Sequence, residues 1–201
     1  MPLGFLEVPR TVESVAWWIA GILGTGLGIR RFLKSLKGDN FIQIHSDINE
    51  RLSELRIQSN AMRASIMQFH NGEYYMDGIS MRKFSVSHES SYKGYYPQVL
   101  KFKNSLCSLF TVLLEKMMEN KSTIYSVETL SDHGHTKHFF EDEYISHFSI
   151  LPLKNKGIIV GFILVQWHKD YAPNAEQAEQ FVVLFEDIHN SIQIDLARQK
   201  N

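Results

Sequence analysis

Residues 158–168, IIVGFILVQWH, are apolar at almost every position. A strand with one wet face would alternate apolar with polar, so a run of this kind demands a central strand covered on both faces. A partner precedes it: HFSILPL, residues 147–153, is joined to it by KNKG. Lysine, asparagine and glycine within four residues predict a hairpin turn. Gly161, in mid-strand, predicts a bulge or a close backbone approach.

Other segments can supply the covering layers. RASIMQF (63–69) and KFSVSHE (83–89) are of strand type, joined by a glycine- and tyrosine-bearing loop, and STIYSV (122–127) is a third such run. In residues 40–62, Phe41, Ile44, Ile48, Leu52, Leu55 and Met62 recur at spacings of three, four and seven, which predicts an amphipathic helix. Arg51 and Gln58 interrupt its heptad, so it reads as a stiff linker that packs on a partner rather than a long coiled coil. Asn104 is the expected N-cap of a helix over 105–120, with Leu106, Leu109, Phe110, Leu113 and Met117 on one stripe. FFEDEYIS (139–146) predicts a short helical piece. Asn174 and Gln177 have capping-box spacing, and Phe181, Phe185, Ile188 and Ile192 make the stripe of a last helix. This order is α+β, with helices on the faces of a mainly antiparallel sheet. The expected organisation is residues 1–37 as an amino-terminal segment, 38–62 as the linker helix and 63–201 as the sheet domain.

The amino-terminal segment has another character. VAWWIAGILGTGLGI (15–29) carries no charge, and RRFLKSLK follows. At about 1.5 Å per residue it falls short of a hydrocarbon core of about 30 Å, but Phe32 and Leu33 extend it if Arg30 and Arg31 snorkel to the headgroups. Residues 15–33 therefore predict a single transmembrane-type helix, with Trp17 and Trp18 at the outer interface and the cation-flanked carboxyl-terminal domain in the cytoplasm. The cations follow the apolar run instead of preceding it, which argues against a cleaved signal peptide. A buried helix in a soluble assembly is the competing reading. Ala20, Gly24 and Gly28 have the small-xxx-small spacing of helices that associate in membranes.

Two clusters could carry chemistry. In QFHNGEYYMDG (68–78), Asn71-Gly72 is a turn signal, and the His70 imidazole then hydrogen-bonds a backbone carbonyl. On a second reading His70, Asn71, Tyr74, Tyr75 and Asp77 line a small-molecule pocket with Tyr92, Tyr95 and Tyr96 of SSYKGYYP, since aromatic walls with a few polar groups suit such pockets. His88 and Glu89 could add an acid-base pair. His133, His135 and His138, near Asp132, Glu141 and His147, offer imidazoles to a metal ion, although a polar loop of this kind also reads as a solvated surface. No glycine-rich phosphate loop, H-E-x-x-H or G-x-S-x-G occurs, so a non-enzyme is expected and no cofactor is assigned.

SILPLKNKGIIVGFILVQW (149–167), an apolar strand ending in Pro-Leu, a basic turn with glycine and a strand with a central glycine, resembles the hairpin of GAF domains, which are related to PAS domains. The likeness spans roughly residues 40–198, and the flanking amphipathic helices are similar to the family's dimerising helices. It implies a ligand-sensing module that forms a homodimer or higher oligomer. The ligand would lie between the sheet and the loops on one face. No counterpart of the asparagine-lysine-phenylalanine-aspartate-glutamate set of cyclic-nucleotide-binding members is found, which argues against cGMP or cAMP. The lone cysteine, Cys107, expected on an apolar helix face, argues against bilin attachment and methionine sulfoxide reductase activity. FHNGEYYMDGISMRKFSVSHE (69–89) also resembles phage-encoded proteins of similar layout, which leaves a structural or assembly role as the alternative. A net charge of -1 argues against a general nucleic-acid binder. With 201 residues there is no room for a separate catalytic domain, so a signal is expected to pass to a protein partner or through oligomerisation.

Overall fold

The doubly apolar run, Ile158–His168, is strand β6, and it lies inside a six-stranded sheet. The other strands are β1 (Arg63–Tyr74), β2 (Ser80–Ser91), β3 (Ser105–Leu106), β4 (Tyr125–Ser126) and β5 (Ile145–Asn155). Their order is β3-β2-β1-β6-β5-β4, and every pairing is antiparallel. The computed structural model describes residues 41–133 and 135–198. The chain divides between Gln43 and Ile44 into two units, and the second unit carries the sheet. The expected membrane segment, residues 15–33, lies outside the described residues; among those described, no helix is long and apolar enough to cross a membrane.

Alternation along β6 sends its side chains into two cores. Ile163, Val165 and Trp167 face one way, with Ala64, Ile66, Leu151 and Leu153 of the neighbouring strands. Over them lie two helices, α1 (residues 41–58) and α4 (Ala175–Arg198). Ile48, Leu52 and Leu55 of α1 and Phe181, Phe185, Ile188 and Ile192 of α4 are buried there. The indole Nε1 of Trp167 donates to the carbonyl of Ser59 at 3.0 Å, just beyond α1. The helix expected as a linker is thus a layer of the domain, because its apolar stripe is spent on the sheet.

On the opposite face Phe162 and Leu164 meet Met67, Phe84, Phe148 and Ile150. This core is roofed by the 92–104 segment, α2 (Thr111–Met118) and α3 (Thr136–Asp142), which bring in Phe102, Phe110, Leu113, Met117 and Phe140. Phe84 packs edge-on against both Phe110 and Phe162, with centroids 5.4 Å apart.

Local chemistry sets the boundaries. Lys156 and Gly157, at φ 51° and 80°, form a two-residue hairpin loop of the type that needs two positive φ values. At the start of α4, Gln177 donates its backbone N–H to Asn174 Oδ1 and accepts from Asn174 N through Oε1, both at 2.9 Å, the reciprocal capping box its spacing predicts. Two expectations need correction. Asn104 caps no helix: it sits at φ 57°, Ser105 and Leu106 pair with β2, and α2 begins only at Thr111. The run at 122–127 forms a strand only at Tyr125–Ser126.

Gly161 marks a close approach between strands. A Cβ added there would stand 2.1 Å from the carbonyl oxygen of Met67 on β1, far inside van der Waals contact, and backbone cannot swing aside. Gly161→Ala is expected to destabilise the domain by about 3 kcal/mol or more, at or above the top of the usual range for overpacking by one methyl group. Urea unfolding of the two proteins measures the difference, and a loss below about 0.5 kcal/mol would refute the tight crossing.

Candidate functional site

The roofed face of the sheet is not wholly apolar. Arg63 on β1 stands opposite Gln166 on β6, and Ser65 stands opposite Glu89 on β2. Arg63 is only 1% exposed. Its Nε donates to Glu89 Oε1 at 3.1 Å, Nη1 donates to Gln166 Oε1 at 3.2 Å, and Nη2 donates to the carbonyl of Tyr96 at 3.0 Å. The Glu89 carboxylate also accepts from the backbone N–H of Gln98, at 2.9 and 3.2 Å to its two oxygens. One buried ion pair thus ties β1, β2 and β6 to the 92–104 segment. Burial pulls the Arg63 guanidinium down and pushes the Glu89 carboxyl up from their ordinary values, each opposed by the partner's charge.

Around this pair several polar groups are buried with no hydrogen-bond partner among the described residues: both side-chain amide atoms of Gln98, the Nε2 of Gln166 and the hydroxyl of Ser65. Gln98 and Gln166 are fully buried. Buried amides without partners are uncommon and costly, which marks the place as incomplete by itself. Beside it lies a cavity of about 70 Å³, walled by Asn60, Ala61, Met62, Tyr92, Tyr95 and Tyr171. Tyr92 and Tyr95 meet edge-on there, and Tyr95 also touches the His168 ring. Burial pushes the Tyr95 phenol up.

The residues expected to share one pocket are divided between the two ends of the β1–β2 hairpin. Arg63 pairs with Ser91 at one end and Tyr74 with Ser80 at the other. Tyr92, Tyr95 and Tyr96 adjoin the buried ion pair, whereas His70, Asn71, Tyr74, Tyr75 and Asp77 occupy the far arm and its tip. Asn71-Gly72 is not the turn. The strand runs on to Tyr74, and the reversal is made at Tyr75–Ile79, where Tyr75 N–H donates to the Ile79 carbonyl, Ile79 N–H donates to Asp77 Oδ1, and Gly78 has φ 81°. The Nδ1 of His70 lies 3.3 Å from the backbone carbonyl of Asn71, and its Nε2 lies 2.9 Å from Ser85 Oγ across on β2.

His88 and Glu89 form no acid-base pair, because consecutive strand residues point to opposite faces. Among the described residues no three metal-ligating side chains converge. His135 packs edge-on to Phe110, while His138 lies 3.6 Å from Glu141. Cys107 opens a 3-10 turn, half-buried, with its thiol pushed up by burial. Arg63, Gln98 and Gln166 were not among the expected site residues. The signal was present for Gln166, a polar residue inside an otherwise apolar strand.

No family model matches the sequence and no curated protein is significantly similar to it. Solved structures are similar in fold. GAF3 from Slr1393 of Synechocystis sp. PCC6803, in its photoproduct state, is 14% identical and superposes with a TM-score of 0.55, covering 78% of this chain and 95% of that one. The phycoerythrobilin-bound GAF domain of a cyanobacterial phytochrome is 12% identical with a TM-score of 0.57, over 85% of this chain and 93% of that one. The GAF domain of a two-component sensor histidine kinase from Bacillus halodurans is 11% identical with a TM-score of 0.54, over 77% and 95%. The described fold is therefore GAF-like.

On the sheet's other face His88 is buried against α1. Its Nε2 lies 2.6 Å from Nδ1 of His45, and its Nδ1 lies 3.0 Å from Ser87 Oγ. A contact of that length needs one ring to donate and the other to accept, so the two cannot both be protonated. Burial first, and then the charge of His45, pulls His88 down from 6.5 to about 4. Below about pH 6.5 the unfolded chain binds a proton that folded His88 refuses, so stability falls as the pH drops from about 6.5 towards 4 and is unaffected by this group above that window. Between pH 7.5 and 5 the wild type is expected to lose about 2 kcal/mol more than His88→Gln. Urea titrations at the two pH values measure this, and equal losses would refute it.

Proposed function

We propose that this chain is a non-catalytic sensory module of GAF-like fold, held to a membrane by residues 15–33 with the described domain in the cytoplasm. It binds a small molecule at the Arg63–Glu89 site. The observation that carries the reading is the set of orphaned amides at Gln98 and Gln166, next to a fixed ion pair and beneath a segment rather than a helix. Arg63 is already neutralised by Glu89, so the groups left over are amide donors, one amide acceptor and the Ser65 hydroxyl. They suit a flat, neutral ligand that presents an amide-like edge. The bilin and the sensor kinase named for the similar solved domains agree with this role. Output passes through pairing of the outer helices or to a protein partner: Ile57 on α1 and Val183 and Ile194 on α4 are more than half exposed, and the last two share a helix face at eleven residues' spacing.

A second reading has its own support. The roofed face is filled by Phe84, Phe102, Phe110, Phe140, Phe148 and Phe162, as suits a packing scaffold in an assembly, of phage type or otherwise. One experiment separates the two. Full-length protein purified in detergent is analysed by native mass spectrometry, then denatured to release and identify bound molecules. A stoichiometric small molecule is expected, with occupancy at least about tenfold lower in Gln98→Leu, the cost of one or two buried hydrogen bonds. If nothing is released and Gln98→Leu merely stabilises the fold, as removal of an orphaned polar group should, the scaffold reading stands instead.

A further inference from the structure

The sheet splits at one end. β1 pairs with β6 only from Arg63 to Gln68, and the last rung is Gln68 opposite Gly161. Yet β1 continues to Tyr74 and β6 begins at Ile158. Residues 69–71 and 158–160 therefore face each other as two strand edges without rungs between them. Each edge keeps its outer neighbour: Phe69, His70 and Asn71 pair with Phe84, Lys83 and Arg82 of β2, and Ile158 pairs with Asn155 of β5. The gap is a cleft of about 320 Å³, lined by Gln68, Phe69, Ile159, Val160, Gln193 and Leu196 among others.

We propose that this split is a docking site for an extended, acidic-flanked segment of a partner protein, which adds as a strand to the free edge of β1. Three observations carry this. Unpaired N–H and C=O groups along an edge are a template for an added strand, and main-chain bonding of this kind supplies affinity while pockets select alternate side chains. The lining supplies such a pocket, with Phe69, Ile159 and Leu196 as apolar walls between amide side chains. Arg82, Lys83, Lys154 and Lys156 stand at this end of the sheet, and among the described residues none is in an ion pair. The acids near this end include Glu73 and Asp77 of the β1–β2 hairpin and Asp195 of α4; Asp77 is engaged by the turn it caps and Asp195 is paired with Arg51 and Arg198. An excess of cations favours acidic flanks and opposes a second copy presenting the same end. Tyr74, Tyr75, Met76 and Ile79 at the hairpin tip are exposed and extend the apolar surface beside the cleft.

The test uses immobilised full-length protein and a displayed library of random nonapeptides. Selected peptides are expected to alternate apolar residues at their centre and carry Asp or Glu at their ends. When synthesised, they should slow exchange at the amides within residues 69–71 and 158–160 that face the cleft, which alternate along each strand. Proline at alternate core positions, which removes the N–H donors, should abolish binding. The Lys154→Glu, Lys156→Glu double variant, which reverses one charge at the end of β5 beside the cleft and one on the hairpin turn, should bind at least about tenfold more weakly at low salt. A library that yields no consensus, or peptides that protect other amides, overturns the proposal. Concentration-dependent self-association that protects these same amides overturns it in favour of a second copy.

Discussion

A strand apolar on both faces is the constraint from which the rest follows. β6 cannot expose either side, so the sheet must be roofed twice, once by the paired helices α1 and α4 and once by α2, α3 and the 92–104 segment. The two roofs differ in kind. Helices satisfy their own backbone groups and bury a stripe, which makes the first layer dense and self-contained. The second is assembled from short helices and irregular chain, whose backbone groups need partners from the sheet. The Tyr96 carbonyl and the Gln98 N–H find those partners in Arg63 and Glu89.

That explains why a buried ion pair sits where leucine would pack. Desolvating a guanidinium and a carboxylate costs several kcal/mol, and the mutual attraction offsets it only when the remaining donors and acceptors are met. Arg63 has each of its three nitrogens engaged. The pair fixes the register of the roof against three strands, a service no apolar contact can supply. The unmatched amides of Gln98 and Gln166 are the part of the arrangement that structure alone does not require.

Sequence patterning revealed the sheet and its long helices because burial on a periodic element leaves a period. The stripes of α1 and α4, the β5–β6 hairpin and the capping box at Asn174 were all legible for that reason. The 105–120 run misled, since a helical stripe of apolar residues is equally what an irregular roof needs when its side chains point down one after another. Asn71-Gly72 misled differently. A turn signal is local, and cross-strand pairing from Phe69 to Tyr74 overrode it, with Gly72 kept for space: a Cβ there would meet the Met81 carbonyl at 2.5 Å. The site was nearly invisible because its members are scattered through the chain. Glu89, Tyr92, Tyr95 and Tyr96 are picked out by the sequence, but with other partners; Gln166, out of place in an apolar strand, is a further signal, and a single polar residue does not name its partners.

The alternation that divided His88 from Glu89 also gives the domain a short route between its two faces. Glu89 holds the roof over the candidate site, while its neighbours His88 and Ser90 face α1, where they meet His45, Ser53 and Arg56. Three consecutive residues of β2 therefore contact both layers, and the strand between them is too stiff to absorb a displacement by bending within one residue. Coupling between distant sites needs an element with two arrangements that both sites bias. The 92–104 segment is the natural candidate on one side, since a ligand that satisfied Gln98 would compete for the geometry its backbone now shares with Glu89. On the other side α1 is the helix that leads back to the amino-terminal segment, so a sensory role requires only that β2 pass on the shift in Glu89.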